Sequence, residues 1–149
     1  MSKLAIIVGI VVMSICGVAC SDDKDLGADF DKSQIVDYPL PDRFSIKTTP
    51  DKAIIIDSPF QFKQIFGEKR EELDKIDFDH YNLIYIQGVS PQNVEKITPL
   101  WSTDKSPAGL SLDVQYGLLT ALDPWSRAYL VPKGLKKIKV EVNYSPIPL

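Results

Sequence analysis

The stretch Asn82-Leu83-Ile84-Tyr85-Ile86-Gln87-Gly88-Val89 decides how the rest of the chain is read. Four consecutive large apolar residues, rich in β-branched and aromatic side chains, predict a buried strand. Upstream, Ala53-Ile54-Ile55-Ile56 is a second β-branched run that stops at Asp57-Ser58-Pro59. Ser58 is a good helix N-cap, and Pro59 suits the first helical position, where its missing N–H has no partner to lose. Phe62, Ile65 and Phe66 follow at i, i+3 and i+4 on one helical face, and Gly67 suits the C-terminal turn. These signals predict a helix over 59–66. Glu68 to Lys75 is a mixed-charge stretch, read as a solvated turn or a second short helix.

Downstream, Val94 to Trp101 reads as a strand interrupted by Pro99. Leu110, Leu112, Val114 and Tyr116 alternate with polar residues, which is the period of a strand with one wet face. Trp125 to Val131 reads as another strand, ended by Pro132-Lys133-Gly134. Ile138, Val140, Val142 and Tyr144 repeat the period-two pattern. Strands outnumber helices and the connections are short. The expected class is therefore α+β: an antiparallel β-sheet of five or six strands with one short packed helix.

The whole chain has 149 residues, 17 Lys+Arg, 20 Asp+Glu, one His and two Cys. That length fits one ordinary domain. A net charge of −3 gives no long-range attraction to nucleic acid. One His and two Cys exclude most all-protein zinc sites and any dense disulfide framework.

The N-terminus carries the clearest signal. After Met1-Ser2-Lys3 come sixteen uncharged residues, Leu4 to Ala19. A spanning helix needs about 20 apolar residues, so this run fits the apolar core of a secretory signal peptide better. It ends Gly17-Val18-Ala19-Cys20, which resembles the lipobox of bacterial lipoproteins, with Gly17 standing where that family most often has Leu. The resemblance implies cleavage between Ala19 and Cys20 and lipidation of Cys20. Cys16, preceded by bulky Ile15, fits poorly as the lipidated residue. Cleavage removes it, leaving the mature chain no disulfide and no catalytic thiol. The alternative is an uncleaved N-terminal anchor with two ordinary cysteines.

Residues 20–42 carry seven Asp and two Lys, with apolar residues scattered without period and Pro39 and Pro41 at the end. Low hydrophobicity and self-repelling charge predict an extended tether, from which Ile35 to Leu40 could instead add an edge strand to the domain. The run Ser21-Asp22-Asp23-Lys24-Asp25 directly after Cys20 resembles the surface-export signal of Bacteroidetes lipoproteins. That resemblance implies an outer-membrane protein facing the cell exterior. The alternative is a plain spacer on the periplasmic side. The organisation is thus 1–19 signal peptide, 20–42 acidic tether and 43–149 a single globular domain. In that domain fourteen Lys+Arg nearly balance thirteen Asp+Glu.

The order Ser58-Pro59-Phe60, Ile76-Asp77-Phe78-Asp79, Asn82 to Gly88, Leu110 to Tyr116 and Tyr129-Leu130-Val131-Pro132-Lys133 resembles the PrcB-type C-terminal domain over residues 52–145. The resemblance implies a small secreted or lipidated accessory protein. In one branch of that family it implies stabilisation of a partner protease. The family's Gly-Tyr pair is absent, since Gly88 is followed by Val89-Ser90-Pro91.

The residues assign no catalytic group, metal or cofactor. His80 is the one imidazole, and there is neither a G-x-S-x-G elbow nor a Gly-rich phosphate loop. Asp77 and Asp79 could hold a hard metal, but they read better as turn caps with Phe78 plugging the core. A glycosidase needs only two carboxylates, yet no pair is marked by its context. Lys133, Lys136, Lys137 and Lys139 form a basic cluster that suits an anionic glycan or, equally, the exposed edge of a last strand. Trp101, Trp125, Tyr129 and Tyr144 offer an aromatic platform for a glycan or protein. Because Trp125 and Tyr129 share strand parity, at least one of them is expected to be buried or half-buried. The resulting expectation is an envelope lipoprotein, anchored in the membrane through Cys20, with a non-enzymatic domain that binds an envelope protein or glycan. Its alternatives are a small carboxylate hydrolase and a structural protein without a ligand.

Overall fold

A computed structural model describes residues 34–102, 107–135 and 137–149. Ala19, Cys20, Ser21, Asp22, Asp23, Lys24, Asp25 and Lys136 lie outside the described residues. The elements are β1 (Val36–Asp37), β2 (Ile54–Ile56), α1 (Pro59–Phe66), a 3₁₀ helix (Gly67–Glu72), β3 (Tyr81–Ser90), β4 (Val94–Ser102), β5 (Ala108–Tyr116), β6 (Asp123–Pro132) and β7 (Ile138–Pro146). The class is α+β. The strands divide into two sheets, ordered β1-β6-β3-β2 and β4-β5-β7. All pairs are antiparallel except β5 with β7, which run parallel.

The quoted stretch forms the spine of this architecture. Leu83, Ile84, Tyr85 and Ile86 are all fully buried. Alternation along β3 sends Ile84 and Ile86 towards the second sheet and Leu83 and Tyr85 towards α1. The first sheet is thus the middle layer of three. On one side, Ile84, Ile86, Trp125, Tyr129 and Val131 meet Ala108, Leu110, Leu112 and Val114 of β5. On the other, Ile56, Leu83, Tyr85 and Ala128 meet Phe66, Leu73 and Phe78.

The helix begins and ends as its residues dictate. Ser58 is extended, and its side chain accepts a hydrogen bond from the Gln61 N–H at 3.2 Å; Pro59 opens the first turn. At the other end Gly67 takes φ 57°, where a side chain is strained, and its N–H donates to the Lys63 carbonyl. Phe66 is the hub of the layer beneath. Its ring lies 5.0 Å from Phe62, 5.3 Å from Tyr85 and 5.8 Å from Phe44, with Phe62 and Tyr85 edge-on.

Besides the division into two sheets with one parallel pair, where the sequence predicts a single antiparallel sheet of five or six strands, two features differ for clear reasons. Pro99 does not interrupt its strand. It sits inside β4, at the edge of its sheet, where a residue without an N–H forfeits no ladder bond on the open side. The domain also starts earlier than residue 43. Val36 and Asp37 pair with Leu130 and Tyr129 as the edge strand that was the alternative for this segment. The Tyr38 N–H then donates to the Ala128 carbonyl at 2.9 Å, and Tyr38 and Phe44 are buried.

Replacing Phe66 by Ala removes the ring on which three other aromatic rings converge. The expected loss is about 3–5 kcal/mol of unfolding free energy, read as a lowered urea midpoint with an unchanged slope.

Candidate functional site

Among the described residues a groove of about 410 Å³ lies at the open edge between the sheets. One wall is the strap Asp37–Phe44, which leaves β1 after two residues and crosses the edge of the first sheet. The other is β4, through Val94, Ile97 and Pro99. The floor is β6 from Pro124 to Tyr129. β1 pairs with β6 only at Tyr129 and Leu130, so the strap parts from the sheet beyond Ala128 and leaves the space.

The groove combines an apolar floor with charged rims. Trp125 and Tyr129 are 6% and 2% exposed, so they present little ring surface to the groove. Their parity turns both inward, and Trp101, half-buried on β4, stands edge-on to Tyr129 at 5.4 Å behind the floor. Arg43 and Arg127 supply cations, Asp37 and Asp42 carboxylates, and all four side chains are exposed. Arg127 Nη1 donates to the Ser126 carbonyl at 2.9 Å and thereby covers the unpaired edge of β6. Pro124 in the same strand has no N–H to offer. The lining can seat an amphipathic or extended ligand, with its apolar part on the floor and its polar groups at the rims.

A chain of hydrogen bonds sets the floor in place. Trp125 Nε1–H donates to the Tyr144 hydroxyl at 3.2 Å, and that hydroxyl donates to Asp51 Oδ1 at 2.7 Å. This ties β6 to β7 across the sandwich and both to the loop before β2. The trio closes over Gly88. A Cβ there would lie 2.3 Å from Asp51 Oδ1 and 2.8 Å from the Trp125 ring. The same loop is held by Gln87, whose side-chain amide accepts from the Ile46 N–H at 2.9 Å and donates to its carbonyl at 2.8 Å. Tyr85 OH donates to Gln87 Oε1 at 2.6 Å.

Of the predicted lysines, the described Lys133, Lys137 and Lys139 do not line the groove with the aromatic residues. Lys139 faces outward on β7 and pairs with Glu141 at 3.0 Å. Lys133 donates to the Asp57 carbonyl at the end where the chain enters the domain, and Lys137 is exposed just before β7. Asp77 forms a turn. Its Oδ1 accepts from the Asp79 N–H at 3.1 Å, and its Oδ2 lies 2.6 Å from His80 Nδ1, which holds the Asp77 carboxyl below the usual range. Phe78 is buried beneath that turn. Among the described residues no group of three His, Cys, Asp or Glu is placed to hold a metal ion. The strap wall was missed from the sequence because Tyr38 and Phe44 anchor singly, outside any periodic run.

Gly88→Ala is expected to cost about 1–3 kcal/mol through overpacking and to shift the Trp125 fluorescence, both readable in one urea titration. A second outcome concerns alkali. Tyr38, Tyr85, Tyr129 and Tyr144 are each pushed up to about 12, chiefly by burial. Nearby carboxylates add to this: Asp74 at Tyr38, Asp37 at Tyr129 and Asp51 at Tyr144. Unfolded tyrosine loses its proton near 10, so the folded state retains these protons longer. Their contribution is complete below about pH 10 and is lost as pH rises towards 12. The urea midpoint should fall across that window, with tyrosinate absorbance from the four appearing in step with unfolding.

The chain matches no family model, no curated protein and no solved structure.

Proposed function

We propose that the protein is a lipoprotein of the bacterial outer membrane, anchored through acylated Cys20. It presents residues 34–149 as a non-enzymatic binding or accessory domain on the cell-surface side. The observation that carries this reading is Gly17-Val18-Ala19-Cys20 at the end of sixteen uncharged residues, followed at once by Ser21-Asp22-Asp23-Lys24-Asp25. Two or more acyl chains on one residue give stable membrane retention, which a single chain does not. The groove supports a binding role over a purely structural one, because it joins an apolar floor to rims of both charges. A partner in the envelope, protein or glycan, fits that lining. The likeness to PrcB-type domains, in the order of its elements, favours an accessory role.

The carboxylate-hydrolase reading is weaker. A carboxyl that donates a proton near neutral pH needs burial to raise it. The carboxylates of the groove, Asp37 and Asp42, are exposed on the strap.

In a diderm bacterium fed a clickable fatty acid, the wild-type chain should label and sediment with the membrane. Cys20→Ala should do neither. Labelling that survives the substitution would overturn the anchor. Digestion of intact cells by an external protease is expected to remove the domain, whereas full protection would place it on the periplasmic side.

A further inference from the structure

Among the described residues, the exposed large apolar side chains Val36, Phe60, Leu100 and Leu149 stand apart from one another, but three others share one loop. Leu118, Leu119 and Leu122 are 82%, 69% and 77% exposed, and all three lie in the six-residue loop Gly117–Leu122 between β5 and β6. Val89 and Ile147, also exposed, stand at the same end of the sandwich. Val89 pairs with Pro124 at the start of β6, and the Ile147 N–H donates to the Tyr116 carbonyl.

This exposure is built rather than slack. Asn93 grips the loop from the facing turn. Its carbonyl accepts from the Gly117 N–H at 2.8 Å, its N–H donates to the Leu119 carbonyl at 3.1 Å, and its Oδ1 accepts from the Leu119 N–H at 3.0 Å. The Ala121 N–H donates back to the Leu119 carbonyl, and Asp123 Oδ2 accepts from the Val94 N–H at 2.8 Å beneath. A Cβ at Gly117 would lie 2.8 Å from the Asn93 side-chain amide and from Glu95 Oε1, so a larger residue there would push these side chains aside. Three leucines thus stand in water on a loop that these hydrogen bonds tie to the facing turn.

The composition selects the occupant. Protein interfaces concentrate their binding energy in Trp, Tyr and Arg, with Leu under-represented. The loop has none of those three and no charge of either sign. Aliphatic side chains alone, on a fixed tip, suit hydrocarbon. The chain outside the described residues allows this. β1 lies antiparallel to β6 near Leu130, so the polypeptide enters at the Pro132 end, opposite the loop. Those two ends are about 30 Å apart along β6. The thirteen residues 21–33 reach roughly 45 Å when fully extended, longer than β6.

We propose that Gly117–Leu122 is a membrane-seating tip. Leu118, Leu119 and Leu122 enter the boundary between headgroups and acyl chains of the same bilayer that holds the Cys20 anchor. This rests on the anchor reading above and adds a second point of contact that fixes the orientation of the domain. Because the loop is uncharged, seating needs no anionic lipid.

The test uses the acylated mature protein in phosphatidylcholine vesicles, with a polarity-sensitive fluorophore on Leu119→Cys. Acylation occupies Cys20, and Cys16 leaves with the signal peptide, so the label goes to position 119. Emission should shift to the blue, and acyl-chain-brominated lipid should quench it several-fold more than the same label at exposed Glu68→Cys. Adding Leu118→Asp and Leu122→Asp should return the emission to its aqueous value with an unchanged thermal melt. Equal quenching at positions 119 and 68 would overturn the proposal. So would a blue shift without lipid quenching, which would place the tip against protein, including a second copy. The anchor reading fails separately, as wild-type chain that carries no fatty acid. In that case the tip still demands bromolipid quenching at position 119 when vesicles are added to the unacylated chain carrying Cys16→Ser and Cys20→Ser as well.

Discussion

Everything else in the domain leans on the burial of β3 from both sides. Leu83 and Tyr85 point one way, Ile84 and Ile86 the other, and none of the four touches solvent. Each such side chain contributes about 1.5–3 kcal/mol when removed from water. A strand with two apolar faces cannot be satisfied by one partner layer, so the fold needs both an aromatic-rich helix and a second sheet. Register is fixed for the same reason. A slip of one residue along β3 would exchange its two faces, setting the Tyr85 ring where Ile84 now packs against β5.

Polar side chains at the ends of that strand convert burial into a specific shape. Asn82 Nδ2 donates to the carbonyls of Lys133 and Leu135, at 3.2 and 3.1 Å, and so holds the turn that leads to β7. Gln87 behaves like a piece of backbone towards Ile46, giving a strand-like pair of bonds to a loop that has no strand. Gly88 then leaves room for the Trp125–Tyr144–Asp51 chain. Within seven residues, an apolar centre with two polar clamps and one missing side chain positions the loop before β2, the floor of the groove and the last strand.

The elements were legible where a single periodicity governed them. Ser58, Pro59 and Gly67 bounded α1 to the residue, and the alternation in β5 and β7 survives intact. On the outer face of these two strands, Ser111 and Asp113 bond to Asn143 and Ser145 across the parallel pair. What alternation does not encode is the partner. A period of two announces one wet face, but the same pattern suits either sheet of a sandwich. The parallel pairing of β5 with β7 arises because β6 crosses to the first sheet between them. Tyr38 and Phe44 were illegible for another reason. Each is a single anchor in an acidic, proline-bearing stretch, and its burial comes from surfaces contributed by Asp74, Phe66 and Tyr85 far along the chain.

The strap that closes the groove is also the first part of the domain reached from Cys20. β1 holds to β6 through two residue pairs and the Tyr38 N–H, while the Tyr38 hydroxyl donates to the Asp74 carbonyl. Few hydrogen bonds retain it, so the buried rings of Tyr38 and Phe44 supply most of its hold. A ligand resting on Trp125 and Tyr129 would also touch Pro39, Leu40 and Pro41 on the strap wall. Its binding energy therefore adds directly to the docking of the strap.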